Sequence, residues 1–426
     1  MLAIAMAARN AFRYRRRTVI TACAIAFGVA FTVFMEGFIA GSETETIRNL
    51  RDFETGELKV YAKGYFADRE YLPFDRFIEP SDRVAAERAL EGRRWTPRVV
   101  LSCEIYFNDD SYPVPGSVTA RLYAVDPERE AETLSTASKV AEGRWLASGD
   151  GGIVLGSWLA DDIGARVGSP VTVECRGRGG FYQTFDAFVV GIARTDNPVI
   201  NREAAFIDLA EADALLALEG GVTEYAARLG GSRSAGSWKR DARADSEARR
   251  INESLEAEGV SCEARTWREI GEETLKLLRA QTGESALYLF FIFAIAIVGI
   301  TNTMLMAVME RKGEIGMLRA LGFSCARIRF LFLAEGAIVG LIGSASGAAA
   351  GALLNWYFVA RGMDFGFMLR DMDIGYRITG VIHSAWNVPA IARTLVATVA
   401  ISASVAWFPS GLILKREVAE ILRRQG

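Results

Sequence analysis

The chain is poor in the residues that carry most enzyme and metal chemistry. A single histidine, His383, stands in 426 residues, so no two-histidine zinc motif exists and a Ser-His-Asp arrangement has one candidate imidazole. The five cysteines, Cys23, Cys103, Cys175, Cys262 and Cys325, include no Cys-x-x-Cys pair, and metal or redox centres are not expected. No Gly-Lys dipeptide occurs, which excludes a Walker A phosphate loop. The run Arg176-Gly177-Arg178-Gly179-Gly180 precedes no helix start and reads as a hairpin turn between strands near Val171–Glu174 and Phe185–Ile192. Only 24% of residues are charged, with a net charge of -3, against 50% hydrophobic; that balance excludes a disordered or nucleic-acid-coating chain. Acidic pairs such as Asp161-Asp162 sit on solvated faces, so no catalytic and no metal-binding residues are expected.

What the chain does have is long uncharged runs and a mean hydropathy of +0.16. A membrane core needs about 20 apolar residues in a helix. Thr18–Met35, continuing past Glu36 to Ala40, Ala286–Met309, Phe330–Ala360 (interrupted only by Glu335) and Thr394–Leu414 meet that length. Arg9, Arg13, Arg15, Arg16 and Arg17 precede the first run; Arg311, Lys312, Arg319, Arg327 and Arg329 separate the second and third; Lys415, Arg416, Arg423 and Arg424 follow the fourth. Positive segments stay in the cytoplasm. The expected architecture is therefore an α-helical membrane protein with four transmembrane helices and a large extracytoplasmic α+β domain, in two lobes, inserted between helices 1 and 2. Its parts are a cytoplasmic amphipathic segment (1–17), helix 1 (18–40), the outer domain (41–284), helix 2 (285–309), a cytoplasmic loop (310–329), helix 3 (330–360), an outer loop (361–389), helix 4 (390–414) and a cytoplasmic tail (415–426). The first run is about twice the length of a signal-peptide core and reads as a retained anchor.

Within the outer domain, Leu58–Tyr61 alternates as a strand, while Ser81–Gly92, Gly156–Ile163 and Asp241–Glu258 read as helices. Three cysteines lie there, an odd number that allows one disulfide at most or buried free thiols only. No ionisable group falls near the midplane of a span, so ion-coupled transport has no relay. Gly336, Gly340, Gly343, Gly347 and Gly351 form a stripe on one face of helix 3, suited to close approach by another helix. Phe31, Phe34, Phe38, Tyr288, Phe291 and Ile292, where helices 1 and 2 leave the membrane, are either an apolar substrate cleft or interfacial anchors. The segment Glu310-Arg311-Lys312-Gly313-Glu314-Ile315-Gly316-Met317-Leu318-Arg319-Ala320-Leu321-Gly322 reads as a short amphipathic helix with Gly322 as its C-cap. Ile315, Leu318 and Leu321 would face water in a plain connector, which favours docking on a protein partner.

That segment resembles the FtsX-like superfamily of ABC-transporter permeases, in the branch of the macrolide-exporter (MacB) and lipoprotein-releasing (LolC/LolE) permeases. The match extends from Asn302-Thr303-Met304 through Glu335, Gly343 and Gly347. Further matches are Ala8–Arg13, Val125-Asp126-Pro127, Glu142-Gly143-Arg144, Val154-Leu155-Gly156, Leu159-Ala160, Val167-Gly168, Val190-Gly191, Val222-Thr223-Glu224 and Thr266-Trp267. Two features depart from the family: where it has Pro-Ala and then a proline-led basic tail, Pro409-Ser410 leads to Lys415-Arg416-Glu417-Val418 without the second proline, and the connection holding Asp371-Met372-Asp373 is long. The resemblance implies a permease that pairs with a second permease copy, like or unlike, and with a cytoplasmic ABC ATPase dimer that binds ATP and Mg; this chain would hold no cofactor. Glu310, Arg311, Lys312, Glu314, Ile315, Leu318, Arg319, Leu321 and Gly322 would then be the ATPase-coupling residues, and ATP-driven closure would be transmitted mechanically to the outer domain. It further implies a multi-pass protein of the bacterial inner membrane with both termini cytoplasmic. Lipoprotein release is the expected function, with a lipoprotein or hydrophobic substrate, membrane lipid and a periplasmic chaperone or adaptor as partners and no nucleic acid. Efflux of macrolides or peptides, and a non-transporting regulator of outside hydrolases, are the alternatives.

Overall fold

A computed structural model describes residues 15–107, 114–230, 237–280, 312–364 and 380–414, with the isolated positions 9, 112, 290, 294, 297, 298, 301, 305, 306, 309 and 310. The principal helices are α1 (Arg15–Leu50), α2 (Pro80–Ala89), α3 (Pro127–Thr133), α4 (Ser237–Ala257), α5 (Lys312–Ala320), α6 (Cys325–Arg361) and α7 (Val388–Leu414). The chain divides into two compact units, one of residues 1–44, 278–364 and 381–426, the other of residues 45–277 and 365–380.

Three described stretches are long and apolar enough to cross a membrane: Thr18–Thr55, whose residues up to Thr44 lie in the first unit, and Cys325–Arg361 and Val388–Trp407, both in the first unit. α1 runs without a break past Ala40, the end expected for the first span, and finishes in a π-helical turn, Arg51–Thr55, closed by Gly56 at φ 63°. Most of the expected second span (285–309) falls outside the described residues. Ile25, Val29 and Val33 of α1, Val339 and Ala348 of α6 and Ala406 of α7 share one buried cluster.

The second unit is built on ten strands: β1 (Leu58–Ala62), β2 (Arg94–Phe107), β3 (Gly116–Val125), β4 (Val140–Gly143), β5 (Gly152–Gly156), β6 (Pro170–Arg176), β7 (Tyr182–Ala193), β8 (Ala204–Asp208), β9 (Glu224–Arg228) and β10 (Cys262–Thr266). Pairing runs β2-β3-β8-β5-β7, and β6 pairs both β7 and β2, so these six strands close into a ring. Closure removes free edges from that part of the sheet. Strand alternation sends Leu101, Cys103 and Ile105 of β2, Ala120 and Leu122 of β3, and Val171, Val173 and Cys175 of β6 into one buried core. β9, β1 and β10 extend the sheet from β2, all antiparallel. Ala248, Ile251 and Leu255 of α4, together with Ala86 of α2, cover this extension and join the same core.

Candidate coupling helix and helix-packing site

α5 ends in a Schellman motif. The Phe323 N–H donates to the Leu318 carbonyl (3.1 Å) and the Gly322 N–H to the Arg319 carbonyl (3.0 Å). Gly322 takes the left-handed φ of 89° that this closure requires, a conformation costly for any residue with a Cβ. The next helix begins at once: the Ser324 hydroxyl accepts from Arg327 N–H as the N-cap of α6. So short a link brings Ile328 and Phe332, on the first turns of α6, back onto α5.

That fold corrects the expected docking face. Ile315 is only 2% exposed, clustered with Ile328 and Phe332, and Leu318 is half-buried against the same group. The apolar side chains this helix and its turn leave in water are Met317 (61%), Leu321 (72%) and, less so, Phe323 (36%). Glu310 is exposed, while Glu314 and Arg319 are half-buried; Arg311 and the side chain of Lys312 fall outside the described residues.

The glycine stripe of α6 serves two neighbours rather than one. A Cβ added at Gly336 or Gly340 would meet Ser402 and Ala406 or Val399 of α7, and one at Gly343, Gly347 or Gly351 would meet the Ala22–Val33 stretch of α1; in every case the contact lies within 2.8 Å. Carbon atoms do not approach so closely, so only glycine permits these helix separations. Near the far end of α6, Asn355 is buried, donates from Nδ2 to the Ala385 carbonyl (3.1 Å) and accepts from the Ser384 hydroxyl. A Cβ at Gly37 of α1 would strike the Asn355 amide, and the Ala385 N–H donates to the Gly37 carbonyl (2.9 Å). Sequence reasoning passed over Asn355, although an amide inside an apolar run signals a required hydrogen bond. Glu36 pairs with Arg393 of α7 at 3.1 Å.

Of the aromatic cleft candidates, Phe31 is 41% exposed, and Phe34 stacks at tilted angles on Phe38 (6.2 Å) and on Phe358 of α6 (5.3 Å). Phe34 and Phe38 are thus partly engaged within the helix bundle. Tyr288, Phe291 and Ile292 lie outside the described residues.

Two family models match successive parts of the chain. Residues 18–244 match the MacB-like periplasmic core domain, and residues 286–418 match the FtsX-like permease C-terminal family. The chain belongs to the FtsX-like ABC-transporter permeases. Relatives include the lipoprotein-releasing system transmembrane protein LolC of Neisseria meningitidis serogroup B, 24% identical over 245 residues, 55% of this chain and 56% of that protein. An uncharacterized ABC transporter permease of Methanocaldococcus jannaschii is 31% identical over 135 residues, 28% of this chain and 34% of that one. The chain thus spans between about a third and just over half of these relatives. Among solved structures, the periplasmic region of MacB from Actinobacillus actinomycetemcomitans aligns with 54% of this chain and 97% of its own, at 16% identity and a TM-score of 0.35.

Several motifs of this permease's MacB-like domain have local physical causes. In Val125-Asp126-Pro127, Asp126 caps α3 by accepting from the N–H groups of Glu128 and Arg129, with Pro127 at the first helical position. In Val222-Thr223-Glu224, the Thr223 hydroxyl accepts from Val100 N–H and donates to the Arg98 carbonyl. Glu224 holds Lys59 at 2.7 Å, and fully buried Arg98 grips Glu130 of α3 with two of its nitrogens. Burial drives the Lys59 pKa down, and Glu224 only partly restores it. For Arg98 burial again opposes the charge, but the Glu130 carboxylate, its hydrogen bond and the nearby Glu224 together outweigh it and the pKa is raised. Arg98 also donates to the Glu54 carbonyl (3.3 Å), Asn197 donates to the Glu54 carboxylate (2.6 Å), and Arg228 pairs with Asp52. Within the second unit, the π-helical turn Arg51–Thr55 is therefore held by β2, by β9 and by the loop at Asn197. Composition had marked no such network, because its partners lie up to 176 residues apart.

Proposed function

We propose that this chain is the membrane subunit of an ABC transporter whose ATP and Mg are bound by a separate cytoplasmic ATPase dimer, and that it moves an acylated or otherwise hydrophobic cargo, most concretely a lipoprotein leaving the inner membrane. The observation that carries the reading is α5. A short helix braced by Ile315 on α6 exposes Met317 and Leu321 beside acidic and basic residues, a shape suited to a groove on a partner. The similarity to LolC supports lipoprotein as the cargo. A second permease copy, both termini in the cytoplasm and a periplasmic chaperone or adaptor complete the reading. Efflux of macrolides or peptides is the second reading, favoured by the match to the MacB-like core domain.

The test uses Met317→Asp and Leu321→Asp, because Ile315 and Leu318 support the helix itself and their loss would not separate docking from folding. Interface anchors of this kind contribute about 2 kcal/mol or more, equivalent to a loss of binding of roughly thirtyfold. Copurification of the ATPase and its stimulated turnover should fall accordingly at unchanged membrane abundance. Wild-type copurification and turnover in both variants would remove α5 from the coupling path.

A further inference from the structure

We infer that Cys103 and Cys175 are a disulfide-forming pair that staples β2 to β6 where the six-stranded ring closes. The two residues are directly opposed Cα partners in the antiparallel β2–β6 ladder. Opposed residues in such a ladder have Cα atoms roughly 4.5 or 5.5 Å apart, depending on the pair type, and both values lie inside the about 4.4–6.8 Å that a disulfide spans. Opposed side chains also share a face. Here both enter the same buried core, Cys103 at 4% and Cys175 at 1% exposure, and both thiols are free in this structure. Cys262, the remaining cysteine of this unit, sits on β10 with β1 and β9 between it and β2, out of reach of either.

The position has a mechanical logic. β2 gives its edge first to β9, over Arg94–Arg98, and then to β6, over Cys103–Tyr106. Cys103 opposite Cys175 is the first pair after that change of partner, and the ladder it begins is only four residues long. A covalent link there fixes one of the two shortest seams of the ring, the other being the β5–β8 ladder. Its formation oxidises two thiols and reduces one disulfide of an oxidant, either a small-molecule disulfide or a disulfide oxidoreductase. One thiolate attacks the oxidant and breaks its S–S bond, giving a mixed disulfide; the second thiolate then displaces the oxidant's remaining sulfur, and the two protons end on the oxidant's thiols. Once folded, the thiols are poor nucleophiles, since burial pushes Cys175 up to about 12 and Cys103 also upward. The exchange therefore belongs to the folding chain, before the core closes.

The inference rests on the outward orientation of this unit, so the test separates the two. Full-length protein is taken from cells quenched in acid, alkylated with N-ethylmaleimide while unfolded, and mapped by mass spectrometry; in a parallel Gly179→Cys variant, an impermeant maleimide is applied to intact cells. The expected result is a peptide joining Cys103 to Cys175, a maleimide adduct on Cys262, and labelling of the Gly179→Cys thiol from outside. Reductant should then lower the Tm of the purified wild-type chain by roughly 5 °C or more and leave a Cys103→Ser/Cys175→Ser chain unchanged. Adducts on both Cys103 and Cys175, in protein whose Gly179→Cys thiol is labelled from outside, would overturn the pairing. If that thiol stays unlabelled, the orientation is wrong, and the pairing is judged on purified chain diluted from urea into detergent with oxidised glutathione: the Cys103–Cys175 link sustains it, and no link overturns it.

Discussion

The two units exclude water by opposite means. The helical unit relies on what its residues lack: Gly336 to Gly351 bring backbones together, so that Ser402 and Ala406 of α7 and Ile25, Ala26 and Ala30 of α1 approach the α6 backbone directly. The strand unit relies on bulk and on buried charge, with Tyr65, Tyr225, Phe206 and Arg98 among its largest fully buried side chains. In lipid, apolar surface gains little from leaving the solvent, so attraction must come from close contact along the helix length. In water, large apolar side chains repay their burial, and a guanidinium can be carried inside if a carboxylate goes with it.

Arg98→Ala should break the strand unit hardest, since it strands Glu130 as an uncompensated buried charge. The expected cost is about 3–5 kcal/mol, read as a fall of about 10 °C in the thermal transition of the full chain. A paired replacement, Arg98→Met with Glu130→Leu, should recover most of it. Gly347→Val should act on the helical unit by overpacking against α1, at about 1–3 kcal/mol, seen as loss of monodisperse protein in detergent; a variant that elutes and melts as wild type would show that α1 and α6 are not this close. Smallest is Glu36→Gln. Its partner Arg393 is 71% exposed, so breaking the pair should cost less than about 1 kcal/mol and vanish at high salt.

How much was legible in the sequence follows the same division. α6 and α7 could be read from uncharged runs, and the β6–β7 hairpin, α2 and α4 from local pattern, because each of these is set by neighbours in the chain. The C-terminal closure of α5 was likewise visible in Gly322. Ile315 was misread because periodicity finds an apolar stripe without saying which part of it the same chain covers; Ile328 and Phe332, which cover it, belong to the next helix. The division of the glycine stripe between α7 and α1 was hidden for the same reason. Ring closure through β2 and β6, and the Lys59–Glu224 and Arg98–Glu130 pairs, depend on contacts far apart in the chain, which no local pattern encodes.

The place of β1 in the sheet carries a consequence for time rather than structure. This strand, Leu58–Ala62, lies between β9 and β10, so it is synthesised long before either neighbour. Its first partner begins at Glu224 and its second at Cys262, a separation of more than 160 residues. At a ribosomal rate of about 5–20 residues per second, β1 waits on the order of ten seconds with both edges unpaired. Contacts of such range slow folding and leave strands open to wrong partners. The alternate Lys59 offers one safeguard in that interval: a charge on an otherwise apolar strand discourages pairing with another chain until Glu224 arrives to meet it.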